Sequence, residues 1–226
     1  MIEATMKEKV KEFIVKNFKW IILFICLIGF LAIAENVFNK EIMNGDIVGY
    51  KLISTFLISD FATPIAKFIT NFGDAIFLTV LTIILFILIK NKKIGLSIFS
   101  NLVIITALNQ LLKNILQRPR PTEFRIVEET GYSFPSGHSM ISMAFYGYII
   151  YLIYKYVKNK YIKWISIVLL SILICSIGIS RIYLGVHYTS DVLGGFLISV
   201  SYLVIYISAV IKSFVLWNNC EQKMGR

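Results

Sequence analysis

Both histidines of this chain fall in short polar stretches that also hold cations and hydroxyls. KNILQRPRP (113–121) places Lys113 seven residues before Arg120, with Arg118 between them. SFPSGHSM (133–140) carries His138 directly after Ser136 and Gly137, and SRIYLGVHYTSD (180–191) carries Arg181, His187 and Asp191. Several cations, a hydroxyl and the unpaired N–H groups of a helix start describe a pocket for phosphate, because the helix dipole and free amides favour an anion there. Arginine adds planar, paired donors that match phosphate oxygens. Binding alone needs no histidine. A histidine beside a carboxylate has its tautomer and orientation fixed, which leaves its other ring nitrogen to attack or to take a proton. A second histidine across the phosphorus can protonate the leaving oxygen.

The missing parts narrow the chemistry. The sequence has no acidic cluster for a two-metal site, no glycine-rich nucleotide loop and no cysteine in a nucleophile's surroundings. A metal-free, cofactor-free phosphohistidine route is the simplest chemistry left. Each stretch also has a plainer reading. Lys113, Arg118 and Arg120 can be snorkelling anchors at a helix end. Pro135-Ser136-Gly137 can be a helix start and nothing more. His187 and Asp191, four apart, can be a structural hydrogen bond across one helical turn.

The elements that must position these groups follow from hydropathy. Of the 226 residues 57% are hydrophobic and only 16% charged, and the mean hydropathy is +0.75. That composition belongs to an integral membrane protein. Runs near the roughly 20 apolar residues that cross a bilayer lie at about 20–34, 73–89, 94–112, 139–157, 162–179 and 192–211. The expected fold is therefore all-α and polytopic, with six transmembrane helices in one domain spanning 1–226. Ala32-Ile33-Ala34 after the first run resembles a signal-peptidase site; the leader is long for a signal peptide, so that run is kept as a helix. The segment 35–72 is too polar to span and too apolar for a free linker. It reads as short amphipathic helices at the outer interface, or as an ordinary packed loop. Cys26, Cys175 and Cys220 show no paired spacing and are expected as free thiols.

Charge sets the orientation. With six spans, fifteen of the 23 Lys and Arg fall on the side of the termini and eight on the other, which places both termini in the cytoplasm. The net charge of +10 serves this topology, so a nucleic-acid partner is not expected. Topology then makes a test that motif matching does not. The third run exits outward at Lys113, the fourth starts from outside at Ser136, and the fifth and sixth meet outside around Arg181 to Asp191. All three stretches are expected on one face, at helix ends where an ionisable group is costly unless paired or wet.

These residues together resemble the type 2 phosphatidic acid phosphatase superfamily of membrane lipid phosphatases. That family's Lys-x6-Arg-Pro, Pro-Ser-Gly-His and Ser-Arg-x5-His-x3-Asp signatures are matched in order within 113–191, with every defining position kept. The resemblance implies that His187 forms a phosphohistidine, that Asp191 orients it, and that His138 protonates the leaving group. It further implies that Lys113, Arg120, Ser136, Gly137 and Arg181 hold the phosphoryl oxygens. Arg118 lies outside the minimal signature and is added to that set on our own reading. The expected substrate is a lipid phosphate in the bilayer, handled at the extracytoplasmic face of a bacterial-type membrane. Undecaprenyl pyrophosphate, phosphatidylglycerophosphate and phosphatidic acid all satisfy the signatures. No obligate protein partner is expected. Two other functions stay open at this point: a phosphotransferase that passes the phosphoryl group to a sugar or lipid, and a non-enzymatic lipid transporter.

Overall fold

A computed structural model describes residues 2–40, 42–122 and 125–224, with side chains from 16 to 213 within those ranges. Eight helices follow one another: α1 (Ile2–Phe38), α2 (Asn44–Phe56), α3 (Ala62–Asn71), α4 (Ala75–Leu88), α5 (Lys92–Leu116), α6 (Gly137–Tyr156), α7 (Lys160–Tyr183) and α8 (Thr189–Met224). Among the described residues there is no strand, as expected of a chain that must satisfy its backbone polar groups inside lipid.

The bundle is organised around α6, which packs on α5, α7 and α8, while α1 lies along α8, α4 along α5, and α3 against α7. Its interior is polar as well as apolar. Ser97, Asn101, Asn109, Ser139, Ser142 and Ser199 are buried beside Ile98, Ile105, Met140, Phe145 and Ile177. The outward face is greasy, as Ile162, Ile165, Val168, Leu169 and Ile172 along α7 show. This inversion suits a hydrocarbon solvent, where small and hydroxylic residues let helices approach and bond to one another. Gly195 makes the sharpest use of it. A Cβ there would stand 3.2 Å from the backbone of both Ser136 and Met140, so α8 meets the start of α6 only because the side chain is absent.

The expected count of six spans is corrected to a coarser one. Four helices are long and apolar enough to cross, within Lys16–Phe38, Lys92–Leu116, Lys160–Tyr183 and Thr189–Ser213. The bent pair α3 and α4, angled by 50°, passes as a fifth when taken together. The pair is needed because α4 alone, at 1.5 Å per residue, rises only about 21 Å against a core of about 30 Å. Residues 62–71, expected from sequence to be an interfacial helix or a packed loop, therefore share in that unit. The 139–157 run falls short on composition because α6 spends its faces inside the bundle, where Ser139, Ser142, Tyr146 and Tyr148 are buried. The short helices expected within 35–72 are present as α2 and α3, of which α3 joins the bent unit. Cys26 and Cys175 are free thiols; the side chain of Cys220 and those of the basic residues in 1–15 and 214–226 lie outside the described residues.

Candidate active site

The three polar stretches meet at one end of the bundle, at the C-terminal ends of α5 and α7 and the N-terminal ends of α6 and α8. Helix α5 stops where Gln117 turns left-handed at φ 45° and Pro119 forbids continuation. Lys113 sits in that last turn and donates to the carbonyl of Tyr132 at 2.6 Å. The following loop returns over the site, and its end is fixed by Asn109, which donates to the carbonyl of Pro135 at 3.2 Å. Ser136 then caps α6 in extended conformation; its hydroxyl accepts from Ser139 Oγ at 3.0 Å and takes no backbone amide of the first turn. The first-turn amides of α6 are thus left without a side-chain cap, which is the arrangement that receives anions. Gly137 faces Asn109 and Lys113, closing α6 onto α5.

His187 lies just before α8 and is buried. Its Nε2 is 3.0 Å from Nη1 of Arg120. A guanidinium can only donate, so Nε2 presents its lone pair and the ring proton sits on Nδ1. On that side Ser133 Oγ stands at 3.3 Å from Nδ1, and Asp191 Oδ2 at 3.4 Å. Ser133 donates in turn to Asp191 Oδ2, so the hydroxyl can accept from the imidazole while it donates to the carboxylate. Asp191 is fully buried and also accepts the backbone N–H of Tyr188 at 2.8 Å. That bond is half of a capping box, with Asp191 three residues into the helix reaching back to its cap. His187 therefore sits outside α8 and meets Asp191 over the helix start, not across a regular helical turn. Burial holds the His187 imidazole down to about 4, against the opposing pull of Asp191.

Arg120, expected on phosphate, is also a staple. It donates to the carbonyls of Gly131, Val186 and Thr130, each at 3.0 Å. Arg181, 2% exposed, donates to Thr70 Oγ1 at 2.7 Å and to Glu129 Oε1, while its Nε has no partner among the described residues. Glu129 also stands 3.6 Å from Arg120 Nη2, so one carboxylate lies between two arginines expected on phosphate. Burial alone would raise the Glu129 carboxyl, but Arg181 and Arg120 outweigh it and bring it down. His138 is half-buried in the first turn of α6, against Gly73, and its ring has no hydrogen-bond partner among the described residues. It lies within electrostatic range of Arg181, His187, Lys113 and Arg120.

Arg118 does not fit the phosphate set. Its guanidinium is occupied by Asp191 Oδ1 at 2.7 Å, Ser190 Oγ at 2.7 Å and Asp46 Oδ2 at 2.8 Å, and it stacks 4.2 Å from the centre of the Tyr188 ring. Two buried carboxylates claim the donors that a substrate would use. Sequence reasoning missed Asp46, Glu129 and Ser133. Ser133 lies within SFPSGHSM, two residues before Pro135, beside the signature residues themselves. Among the described residues no group of three or more His, Cys, Asp or Glu side chains is arranged to hold a metal.

Comparison with known proteins supplies the family. Residues 94–214 match the PAP2 superfamily, which covers more than half of the chain, and the chain belongs to that family. Within it, 90 residues are 41% identical to phosphatidylglycerophosphatase B of Bacillus subtilis, covering 39% of this chain and 44% of that protein. The chain thus matches less than half the length of that relative. An undecaprenyl-diphosphatase of Sulfolobus acidocaldarius is 27% identical over 208 residues, 86% of this chain and 93% of that one. The crystal structure of a transmembrane PAP2-type phosphatidylglycerolphosphate phosphatase from Bacillus subtilis superposes with a TM-score of 0.72 at 28% identity, covering 84% of this chain and 96% of that chain.

Proposed function

We propose that this protein is a membrane lipid phosphatase that removes a terminal phosphate by two displacements at phosphorus, with His187 as the nucleophile and without a metal. The observation that carries this reading is the His187 ring, with Nε2 toward Arg120 and Nδ1 toward Ser133 and Asp191. In the first step Nε2 attacks phosphorus, the P–O bond to the lipid breaks, and His138 gives its proton to the departing oxygen. In the second, water attacks the phosphohistidine, His138 takes the proton from that water, and inorganic phosphate leaves. Lys113, Arg120, Arg181, Ser136 and the amides from Gly137 onward stabilise the charge on the equatorial oxygens, which is where phosphoryl transfer gains most. Arg118 is left out of that set.

The orientation follows from charge. The basic bias of the sequence favours a cytoplasmic position for the end opposite the site, so the pocket faces outward. Helix α6 acts as a sixth span: its 20 residues rise about 30 Å, the thickness of a hydrocarbon core. The relatives differ in their lipid, from phosphatidylglycerophosphate to undecaprenyl diphosphate and lipid A, which supports a site that reads phosphate and leaves the tail in the bilayer.

The test uses purified protein in detergent with chelator present and three lipids: undecaprenyl pyrophosphate, phosphatidylglycerophosphate and phosphatidic acid. Phosphate release that disappears in His187→Ala, together with an acid-quenched, labelled phosphoenzyme in the parent, supports the reading, and kcat/KM ranks the lipids. Turnover that survives in His187→Ala, or that requires added metal, sinks it. Phosphate release that appears only with a sugar or lipid acceptor turns it into a phosphotransferase.

A further inference from the structure

Asp46 is a buried carboxylate on α2, and the reaction described above gives it no part. Both of its oxygens are used. Oδ1 accepts the backbone N–H of Ser190, in the first turn of α8, at 2.8 Å. Oδ2 accepts from Arg118 Nη2 at 2.8 Å, and the same guanidinium reaches Asp191 Oδ1 through Nη1 at 2.7 Å. Asp46 therefore touches the orienting carboxylate through one intermediary and the helix that carries it directly.

The surroundings show that α2 is fitted to this task. A Cβ on Gly49 would collide with Thr189 Oγ1, so the Thr189 side chain of α8 rests directly on the α2 backbone there. Ile47, Val48, Leu52 and Phe56 of α2 are exposed, an apolar outer face on a helix whose buried residue is Asp46. A cavity of about 560 Å³ runs along α2 past Ile47, Tyr50 and Lys51 to His187 and Tyr188, and Asp46 lies in its wall. A buried guanidinium shared by two carboxylates has little rotamer freedom, because releasing either one leaves a charge unpaired in low dielectric. The position of α2 is thereby tied to the position of Asp191.

We propose that Asp46 is a positioning residue for phosphoryl transfer, setting Asp191 through Arg118 and the first turn of α8 through Ser190. This rests on the reading of His187 and Asp191 as nucleophile and orienting group. Helix α2 is then a clasp on the catalytic pair. Its seating at the outer edge of the bundle decides how well His187 is aimed, and Asp46 transmits that seating without touching substrate.

A plain stabilising ion pair would change how much protein is folded and leave the rate per folded molecule alone. The experiment measures kcat, KM, thermal midpoint and the single-turnover rate of phosphoenzyme formation on the full chain. The variants are Asp46→Asn, Asp46→Glu and, in parallel, His187→Ala. Asp46→Asn keeps an acceptor for Ser190 and loses the pairing charge. Its kcat and its phosphoenzyme rate are expected to fall together, about ten- to a hundredfold, the range that outer partners of orienting groups command at metal sites, with KM unchanged. Asp46→Glu, which restores the charge on a longer arm, recovers part of the loss. An Asp46→Asn enzyme with normal kcat per trapped site, whatever its thermal midpoint, overturns the proposal. If that variant does not fold, Asp46→Glu decides: a lowered kcat at unchanged KM supports the clasp, and wild-type kcat overturns it. Phosphate release by His187→Ala refutes the parent reading instead, so the two failures are distinguishable.

Discussion

Nη1 of Arg120 stands 3.0 Å from Nε2 of His187 and, from the same nitrogen, donates to the carbonyl of Val186 at 3.0 Å. The proposed nucleophile and the strand of chain that carries it are thus held by one cation. Because that cation is also assigned to phosphate, it marks the attacking atom and the place of the attacked group together.

Arg120→Lys is the direct test of this dual use. Lysine supplies a point charge with no planar fork, so it cannot serve Gly131, Thr130, Val186 and His187 at once. A fall of about a hundredfold or more in kcat/KM is expected, the scale of losing one preorganised donor at a developing charge. Steady-state assay of the folded variant checks it, and near-wild-type turnover would reduce Arg120 to a generic cation.

The second prediction concerns acid. An ordinary histidine titrates near about 6.5, whereas burial holds His187 to about 4. The proposed nucleophile is then unprotonated well below neutrality, and the acid limb that His187 imposes on kcat/KM falls near pH 4 once the substrate's own titration is divided out. The same shift has a sign for stability. Between pH 6.5 and 4 the unfolded chain binds a proton that the folded chain refuses, so stability declines as pH is lowered through that window and levels off beneath it. Thermal midpoints at pH 7 and 4.5 should differ less in His187→Gln than in the parent. An equal slope in both would mean that His187 is not the group responsible.

Glu129 yields the third. Its carboxylate rests on Arg181 and lies 3.6 Å from Arg120, where a phosphoryl group would compete for the same donors. Hydrogen bonds to charged groups contribute about 1.5–3 kcal/mol, so releasing Arg181 should tighten anion binding roughly tenfold or more. Glu129→Gln is expected to lower the inhibition constant of inorganic phosphate by that factor, measured against any accepted lipid. An unchanged or weaker phosphate affinity would make Glu129 a structural brace of its loop.

The elements that sequence made legible are those governed by one rule at a time. Long apolar runs mark α1, α5, α7 and α8 because a bilayer imposes length and composition together. The Lys113, Ser136–His138 and Arg181–Asp191 stretches stand out because polar groups in such a chain have few other reasons to exist. Helix α6 is harder to count because its partners are helices, and hydropathy does not distinguish a wet face from a face packed on serine and tyrosine. Asp46 and Glu129 lie in segments where an acid is unremarkable, and only folding brings them onto Arg118 and Arg181. Arg118 is the instructive case. Sequence proximity to a signature suggests another phosphate ligand, whereas its hydrogen-bond partners lie in α2 and α8, far off in sequence.

The meeting of four helix ends at the site also fixes an order in time. Lys113 is the first of the signature residues to leave the ribosome and Asp191 the last, with α6 and α7 between them. A chain halted after α7 holds the cations and His138 but not the proposed nucleophile, so on this reading an incompletely inserted copy is chemically silent toward the lipids around it.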